Sequence, residues 1–165
     1  MSCKGRVENY TERRRMADSI PNEEILELAI TREEVANRLF LELASRTKNP
    51  EIRKVFEELA DEELEHKARL ELEILKTGKV VKATQKPAFE EQIDTGEPAT
   101  WIDMDYKDML LLGIQKEDAA FRFYVKLAAN VDDEDSYETL MAIAEQEIKH
   151  KLRFEMEYEK LLKTK

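Results

Sequence analysis

The stretch Leu59-Ala60-Asp61-Glu62-Glu63-Leu64-Glu65-His66 returns 84 residues later as Ile143-Ala144-Glu145-Gln146-Glu147-Ile148-Lys149-His150. Each copy closes on Glu-x-x-His, and these are the two histidines of the chain. The likeness continues past the motif. Between the windows 63–76 and 147–160, seven of fourteen positions are identical: Glu63/Glu147, His66/His150, Lys67/Lys151, Arg69/Arg153, Glu71/Glu155, Glu73/Glu157 and Lys76/Lys160. Upstream, at the same offset, Ile30/Ile114, Glu33/Glu117, Ala36/Ala120, Arg38/Arg122, Leu43/Leu127 and Ala44/Ala128 also match. The sequence is a tandem duplication.

Each copy contains two segments with helical periodicity. The first opens at Pro21-Asn22-Glu23-Glu24, where Asn22 is expected to cap, and its apolar stripe is Ile25, Ala29, Ala36, Phe40, Leu43 and Ala44. The second opens at Asn49-Pro50-Glu51, an N-cap followed by proline at the first helical position. Its stripe is Ile52, Phe56, Leu59, Leu70 and Ile74, with Gly78 as the expected stop. The third begins near Asp105 and shows Leu110, Gly113, Ala120, Tyr124 and Leu127; the fourth starts in the Asp132–Asp135 acidic cluster and shows Leu140, Ile143, Phe154 and Tyr158. Short turns near residues 46–49 and 130–133 make each pair an antiparallel hairpin. Residues 79–104 carry Pro87, Gly96 and Pro98 and no sustained period. Helices of about 25 residues are roughly 38 Å long, and some 26 extended residues reach up to about 85 Å. This segment can therefore cross the full length of a bundle, with Phe89, Ile93, Trp101 and Ile102 lying against its surface. The expected fold is all-α: a four-helix bundle of two duplicated antiparallel hairpins joined by one long crossover. Residues 1–20 form a polar N-terminal segment, and residues 21–165 form the bundle.

Composition narrows the function. Charged residues make up 39% of the chain and the net charge is −10, which argues against nucleic acid or an anionic membrane surface as partner. No apolar run is long enough to span a bilayer. The single cysteine, Cys3, rules out an intramolecular disulfide and a cysteine-rich metal site, and a reducing, cytoplasmic setting is expected.

The informative positions are those where the stripes are interrupted. Glu33 sits between Ala29 and Ala36, and Glu117 between Gly113 and Ala120. In the second helix of each hairpin the interruption is the Glu-x-x-His pair, whose members at i and i+3 share a face. One such pair is unremarkable in a chain of 27 glutamates, but both histidines carry it, and each motif glutamate has a partner 30 positions earlier on an apolar stripe. Glu33 and Glu63 each lie 15 residues from position 48, and Glu117 and Glu147 each lie 15 from position 132. Equal distances from a turn put residues at one height on antiparallel neighbours. Four buried carboxylates repel one another and cost free energy unless a cation joins them. Two divalent ions match four carboxylates in charge, with the imidazoles as neutral ligands. The expected metal ligands are Glu33, Glu63, His66, Glu117, Glu147 and His150. Oxygen-rich donors with one imidazole per ion suit iron or manganese better than zinc; spacing does not separate di-iron, di-manganese and mixed pairs.

These strings, with Ala29-Ile30-Thr31-Arg32-Glu33-Glu34-Val35-Ala36 and Gly113-Ile114-Gln115-Lys116-Glu117, resemble the rubrerythrin-like branch of the ferritin-like di-iron carboxylate proteins over about residues 24–162. The resemblance implies a ferritin-like bundle holding two non-haem iron ions on those six residues, and oxidation of the reduced centre by hydrogen peroxide or dioxygen. A peroxidase or oxidase acting against oxidative stress is the expected function. A ferroxidase-type iron-handling or storage protein, or a metal-binding module without turnover, are the alternatives. Three departures matter. The four cysteines of a rubredoxin domain are absent, so an external electron donor such as a rubredoxin is expected. The extra ligand glutamate that rubrerythrins carry three residues after the third-helix glutamate is here Ala120. The haem-binding methionine of bacterioferritins is here Leu64, so no haem is expected.

Other residues carry weaker signals. Tyr124, seven residues after Glu117, can either hydrogen-bond a ligand carboxylate or simply pack; its counterpart Phe40 has no hydroxyl. Asp61, Glu62, Glu145 and Gln146 read as solvated helix surface, and Met104, Met109, Met141 and Met156 as core filling. Leu26, Leu39, Leu41 and Leu112 fall off the inward stripes and suggest a second contact surface, hence a homodimer.

Overall fold

The structure, a computed structural model, describes residues 21–79 and 104–164. The segment 1–20 and nearly all of the crossover at 79–104 lie outside the described residues. Four helices follow in order: α1 (Asn22–Arg46), α2 (Pro50–Lys76), α3 (Tyr106–Ala128) and α4 (Glu134–Lys163). Helices α1 and α2 pair closely, as do α3 and α4, and the hairpins meet chiefly along α2 and α4. This is the expected four-helix bundle. None of the described helices is long and apolar enough to cross a membrane.

The helix ends follow local chemistry. Asn49 accepts hydrogen bonds from the Glu51 and Ile52 amides at 3.0 and 3.2 Å, with Pro50 behind it in the first turn. Asp105 and Asp108 form a capping box, and Asp133 accepts from the Ser136 amide at 2.8 Å. Gly78 adopts φ 75°, the left-handed conformation that ends α2 without a Cβ penalty. The start of α1 departs from expectation. Pro21 occupies the cap position, and Asn22 is the first helical residue. Its side chain donates to Asp133 Oδ1 at 2.5 Å and accepts from the Asp132 amide at 3.2 Å. Asn22 thus ties the start of α1 to the α3–α4 turn; as the first helical residue, with Pro21 at the cap position, it is not placed to cap its own helix.

The duplication is visible in the packing. Lys67 Nζ lies 2.9 Å from Glu34 Oε1 in the first hairpin, and Lys151 Nζ lies 2.9 Å from Asp118 Oδ1 at the corresponding place in the second. The buried apolar residues form two clusters at different heights. One holds Ile25, Ala29, Leu70, Ile74, Tyr124, Leu127, Leu140 and Ile143. The other holds Phe40, Leu43, Phe56, Leu59, Leu110 and Phe154. Every interrupting glutamate and histidine falls between these clusters along its own helix. Leu26, expected off the core, is buried in the first cluster, while Leu39 and Leu112 pack partly against the second and Leu41 is exposed. The wider stripe of α1 arises because α1 packs against two helices rather than one. Met109 fills the core as expected, but Met156 projects to the surface.

In the second cluster Phe154 lies against Phe40 and Phe56, with ring centroids 5.6 and 5.4 Å away. A Cβ on Gly113 would stand 2.9 Å from three atoms of the Phe154 ring, so glycine lets this ring close on α3. Replacing Gly113 by Ala is expected to destabilise the bundle by about 1–2 kcal/mol despite the better helix propensity of alanine. Thermal unfolding should show a fall of roughly 3–8 °C; an unchanged or higher midpoint would refute the packing role.

Candidate metal centre

Each helix delivers its stripe-breaking residues to the layer between the two apolar clusters: Glu33 from α1, Glu63 and His66 from α2, Glu117 from α3, Glu147 and His150 from α4. The four carboxylates are 0% exposed and the two imidazoles 3%. They fall into two overlapping quartets, Glu33–Glu63–His66–Glu147 and Glu63–Glu117–Glu147–His150, in which one donor atom per residue lies within 4.8 Å of the others. Glu63 and Glu147 belong to both. The imidazole rings stack at 5.5 Å between centroids. His66 Nδ1 lies 3.1 Å from Glu147 Oε1 and 3.6 Å from Glu33 Oε2; His150 Nδ1 lies 3.2 Å from Glu63 Oε1 and 3.6 Å from Glu117 Oε1. Each histidine therefore faces the motif glutamate of the other hairpin.

The chemistry of this layer fits metal ions. Among the described residues, eight buried ligand atoms make no hydrogen bond of good geometry, although several lie within ion-pair range of a charged neighbour: Glu33 Oε2, Glu63 Oε1, His66 Nδ1, both oxygens of Glu117, both of Glu147, and His150 Nδ1. All eight belong to the six expected ligand residues. Unpartnered buried polar atoms each cost about 1–3 kcal/mol, and such a concentration in one place marks lone pairs directed at a cation. Carboxylates shared between two quartets are the natural bridges of a dinuclear site.

Three residues complete the layer, and the sequence flagged only one of them. The hydroxyl of Tyr124 donates to Glu33 Oε1, so the hydrogen-bonding alternative holds for this residue. Arg32 stands in the sequence only as part of the Ala29–Ala36 string. Its guanidinium is buried, with Nη1 3.2 Å from Glu33 Oε1, 3.1 Å from Glu63 Oε2 and 3.1 Å from Glu147 Oε2, and its Cζ lies 5.8 Å from the centre of the Tyr124 ring. The signal in the sequence is its spacing, three residues after Ala29 and four before Ala36, which places a charged residue on the apolar stripe of α1. Glu62, read as solvated surface, is half-buried and its carboxylate lies 2.8 Å from His150 Nε2. This corrects the surface reading: Glu62 reaches across from α2 to α4 and orients the imidazole. Asp61 and Glu145 are exposed, as expected.

Electrostatics divide the carboxylates. Burial pushes all four up. At Glu33 and Glu147 burial is the largest single effect, but the Arg32 guanidinium and neighbours such as His66 together outweigh it and hold both below the ordinary carboxylate range. At Glu63 and Glu117 burial is reinforced by the charge on Glu147, and both are pushed well above it. Burial pulls His66 down, but the carboxylates of Glu147 and Glu33 prevail and carry it up to about 9. His150 is raised in the same way by Glu63.

An antiparallel duplicated bundle with four inward carboxylates and two Glu-x-x-His histidines defines the ferritin-like class with a site for two metal ions. Within that class, the sequence profile of the rubrerythrin family matches residues 24–158, and the chain belongs to that family. Solved structures share the fold. The bacterioferritin-related dodecameric thioferritin of Bacteroides fragilis superposes with a TM-score of 0.73 at 19% identity, covering 87% of both chains. A Pyrococcus furiosus hypothetical protein gives 0.66 at 26% identity, covering 91% of this chain and 95% of its own. A manganese catalase from Anabaena gives 0.65 at 18% identity, covering 87% and 74%. Curated proteins yield no match.

The raised imidazole has a consequence for the metal-stripped protein. With its folded value near 9 and its ordinary value at 6.5, protonated His66 contributes stability that is complete below pH 6.5 and lost as pH rises through 9. Raised Glu63 and Glu117 act with the same sign at lower pH. The melting temperature of the metal-stripped protein should therefore fall between pH 6.5 and 9. A flat or rising profile would contradict the ion-pair arrangement around His66.

Proposed function

We propose that the chain holds a non-haem pair of iron or manganese ions on Glu33, Glu63, His66, Glu117, Glu147 and His150. In its reduced state the centre reacts with hydrogen peroxide or dioxygen, as an oxidoreductase protecting against oxidative stress. The observation that carries this reading is the convergence of eight ligand atoms without a hydrogen bond of good geometry on six buried residues. Likeness to a manganese catalase and to a bacterioferritin-related protein supports redox chemistry at such a layer. When bound, two such ions supply a two-electron couple suited to reducing peroxide without releasing a radical.

The protein's own residues set the conditions. Glu63 and Glu147, common to both quartets, hold the two positions together. Glu33 with His66, and Glu117 with His150, close the two ends. Apolar clusters above and below keep bulk water from the layer, which strengthens every charge interaction inside it. Tyr124, whose phenol is pushed well up by burial and the Glu33 carboxylate, keeps its proton and fixes one oxygen of Glu33. A carrier such as a rubredoxin is the proposed source of the electrons that restore the reduced centre.

A ferroxidase that hands iron to a store is the second reading, favoured by the fold shared with the Bacteroides thioferritin. Size separates the two: a storage assembly elutes as a large shell, and the proposed peroxidase as a homodimer.

Protein expressed with iron and manganese should carry two ions per chain. After reduction it should consume about one peroxide per centre in a single turnover, with sustained turnover only when a donor is added. The double variant Glu63→Ala/Glu147→Ala should lose both ions. Its peroxide reaction should slow by more than the roughly 10–100-fold typical of changes outside the ligands. Full metal content in that variant would refute the site, and a reduced wild-type centre oxidised no faster by peroxide than in buffer would refute the reaction.

A further inference from the structure

Duplication would make the two ion positions equivalent, and three residues break that equivalence. Glu33 has one oxygen engaged by both the Tyr124 hydroxyl and Arg32 Nη1, whereas both oxygens of its counterpart Glu117 lack a hydrogen bond of good geometry. The residue matching Tyr124 is Phe40, which has no hydroxyl and packs with Phe56 and Phe154. The residue matching Arg32 is Lys116, which is only half-buried. The third difference lies at the histidines. His150 Nε2 is held by the Glu62 carboxylate, while the position matching Glu62 is the neutral Gln146.

These differences all act in one direction. Arg32 contacts Glu33, which belongs to the Glu33–Glu63–His66–Glu147 quartet alone, as well as Glu63 and Glu147, which both quartets share, so an arriving cation meets that resident positive charge most directly beside Glu33. A carboxylate behind an imidazole orients it and makes it a stronger donor, and His150 belongs to the other quartet. We propose that Arg32 is a resident counter-ion that competes with metal at the Glu33–Glu63–His66–Glu147 position. The Glu63–Glu117–Glu147–His150 position, with its histidine set by Glu62, then loads first. The inference rests on the metal-centre reading above but not on any reaction with peroxide. Arg32 and Glu62 are positioning residues, acting on the ions through charge and through His150.

Titration of metal-stripped protein with Mn²⁺, followed by calorimetry and by the electron paramagnetic resonance of free Mn²⁺, tests this directly. Wild type should bind two ions in separate steps whose dissociation constants differ at least about tenfold, the scale set by one nearby unit charge in a partly screened interior. His150→Ala should abolish the tight step and His66→Ala the weak one. Arg32→Met should tighten the weak step at least about tenfold, and Glu62→Gln should weaken the tight step about 10–100-fold. Far-UV circular dichroism checks that each variant keeps its helices. If Arg32→Met does not fold without metal, the histidine and Glu62 variants, which leave Arg32 in place, decide the order. Two ions of equal affinity in wild type, or loss of the tight step in His66→Ala, would overturn the proposal. No bound Mn²⁺ at all would overturn it together with the metal centre, whereas two unequal steps without peroxide reactivity would refute only the proposed reaction.

Discussion

Four carboxylates share one buried layer, and the remainder of the bundle is organised around that electrostatic cost. Glu33, Glu63, Glu117 and Glu147 are fully excluded from solvent, where water cannot screen their repulsion. The guanidinium of Arg32 neutralises part of the charge, the raised His66 neutralises more in the metal-free protein, and burial pushes Glu63 and Glu117 towards their protonated forms. The apolar clusters on either side hold the layer in register. Their rings and branched side chains leave the carboxylates no route to solvent, so positive charge must come to them. Divalent cations are the natural complement of such a layer.

The two hairpins have retained what holds a hairpin together and diverged where they meet the centre. The clasp of Lys67 on Glu34 is repeated by Lys151 on Asp118, and both Glu-x-x-His pairs reach the same height. Beside the centre the hairpins differ at Arg32 against Lys116, Tyr124 against Phe40, and Glu62 against Gln146. A duplicated frame carries two equal positions by default. Three substitutions beside the ligands suffice to make the positions chemically distinct while leaving the backbone frame unchanged.

Much of this was legible in the chain. Periodic apolar residues, the cap at Asn49, the helix starts near Asp105 and in the Asp132–Asp135 cluster, and Gly78 at the end of α2 are local signals, each expressed within a few residues of its effect. The interrupting glutamates and histidines were equally visible, since a charged residue on an apolar stripe contradicts its own helix face. Readings that fell short share a cause. Asn22 was expected to cap its own helix and instead binds Asp132 and Asp133, more than a hundred positions away. Leu26 was placed outside a core that proved wider, because the stripe of one helix does not reveal how many neighbours it packs against.

The sequence by itself determined the four helices, the pairing of their halves and the six residues that gather in the middle, because periodicity, turn distance and duplication act along a single chain. Only the tertiary structure decided what surrounds them. Arg32 lies three residues after Ala29 and four before Ala36, on the stripe itself, but only the meeting of α2 and α4 at this height brings Glu63 and Glu147 within 3.1 Å of it. Glu62 orients His150 only because α2 and α4 cross at that height. Contacts between hairpins depend on side-chain reach across a helix interface, and that distance is written in no local pattern of residues.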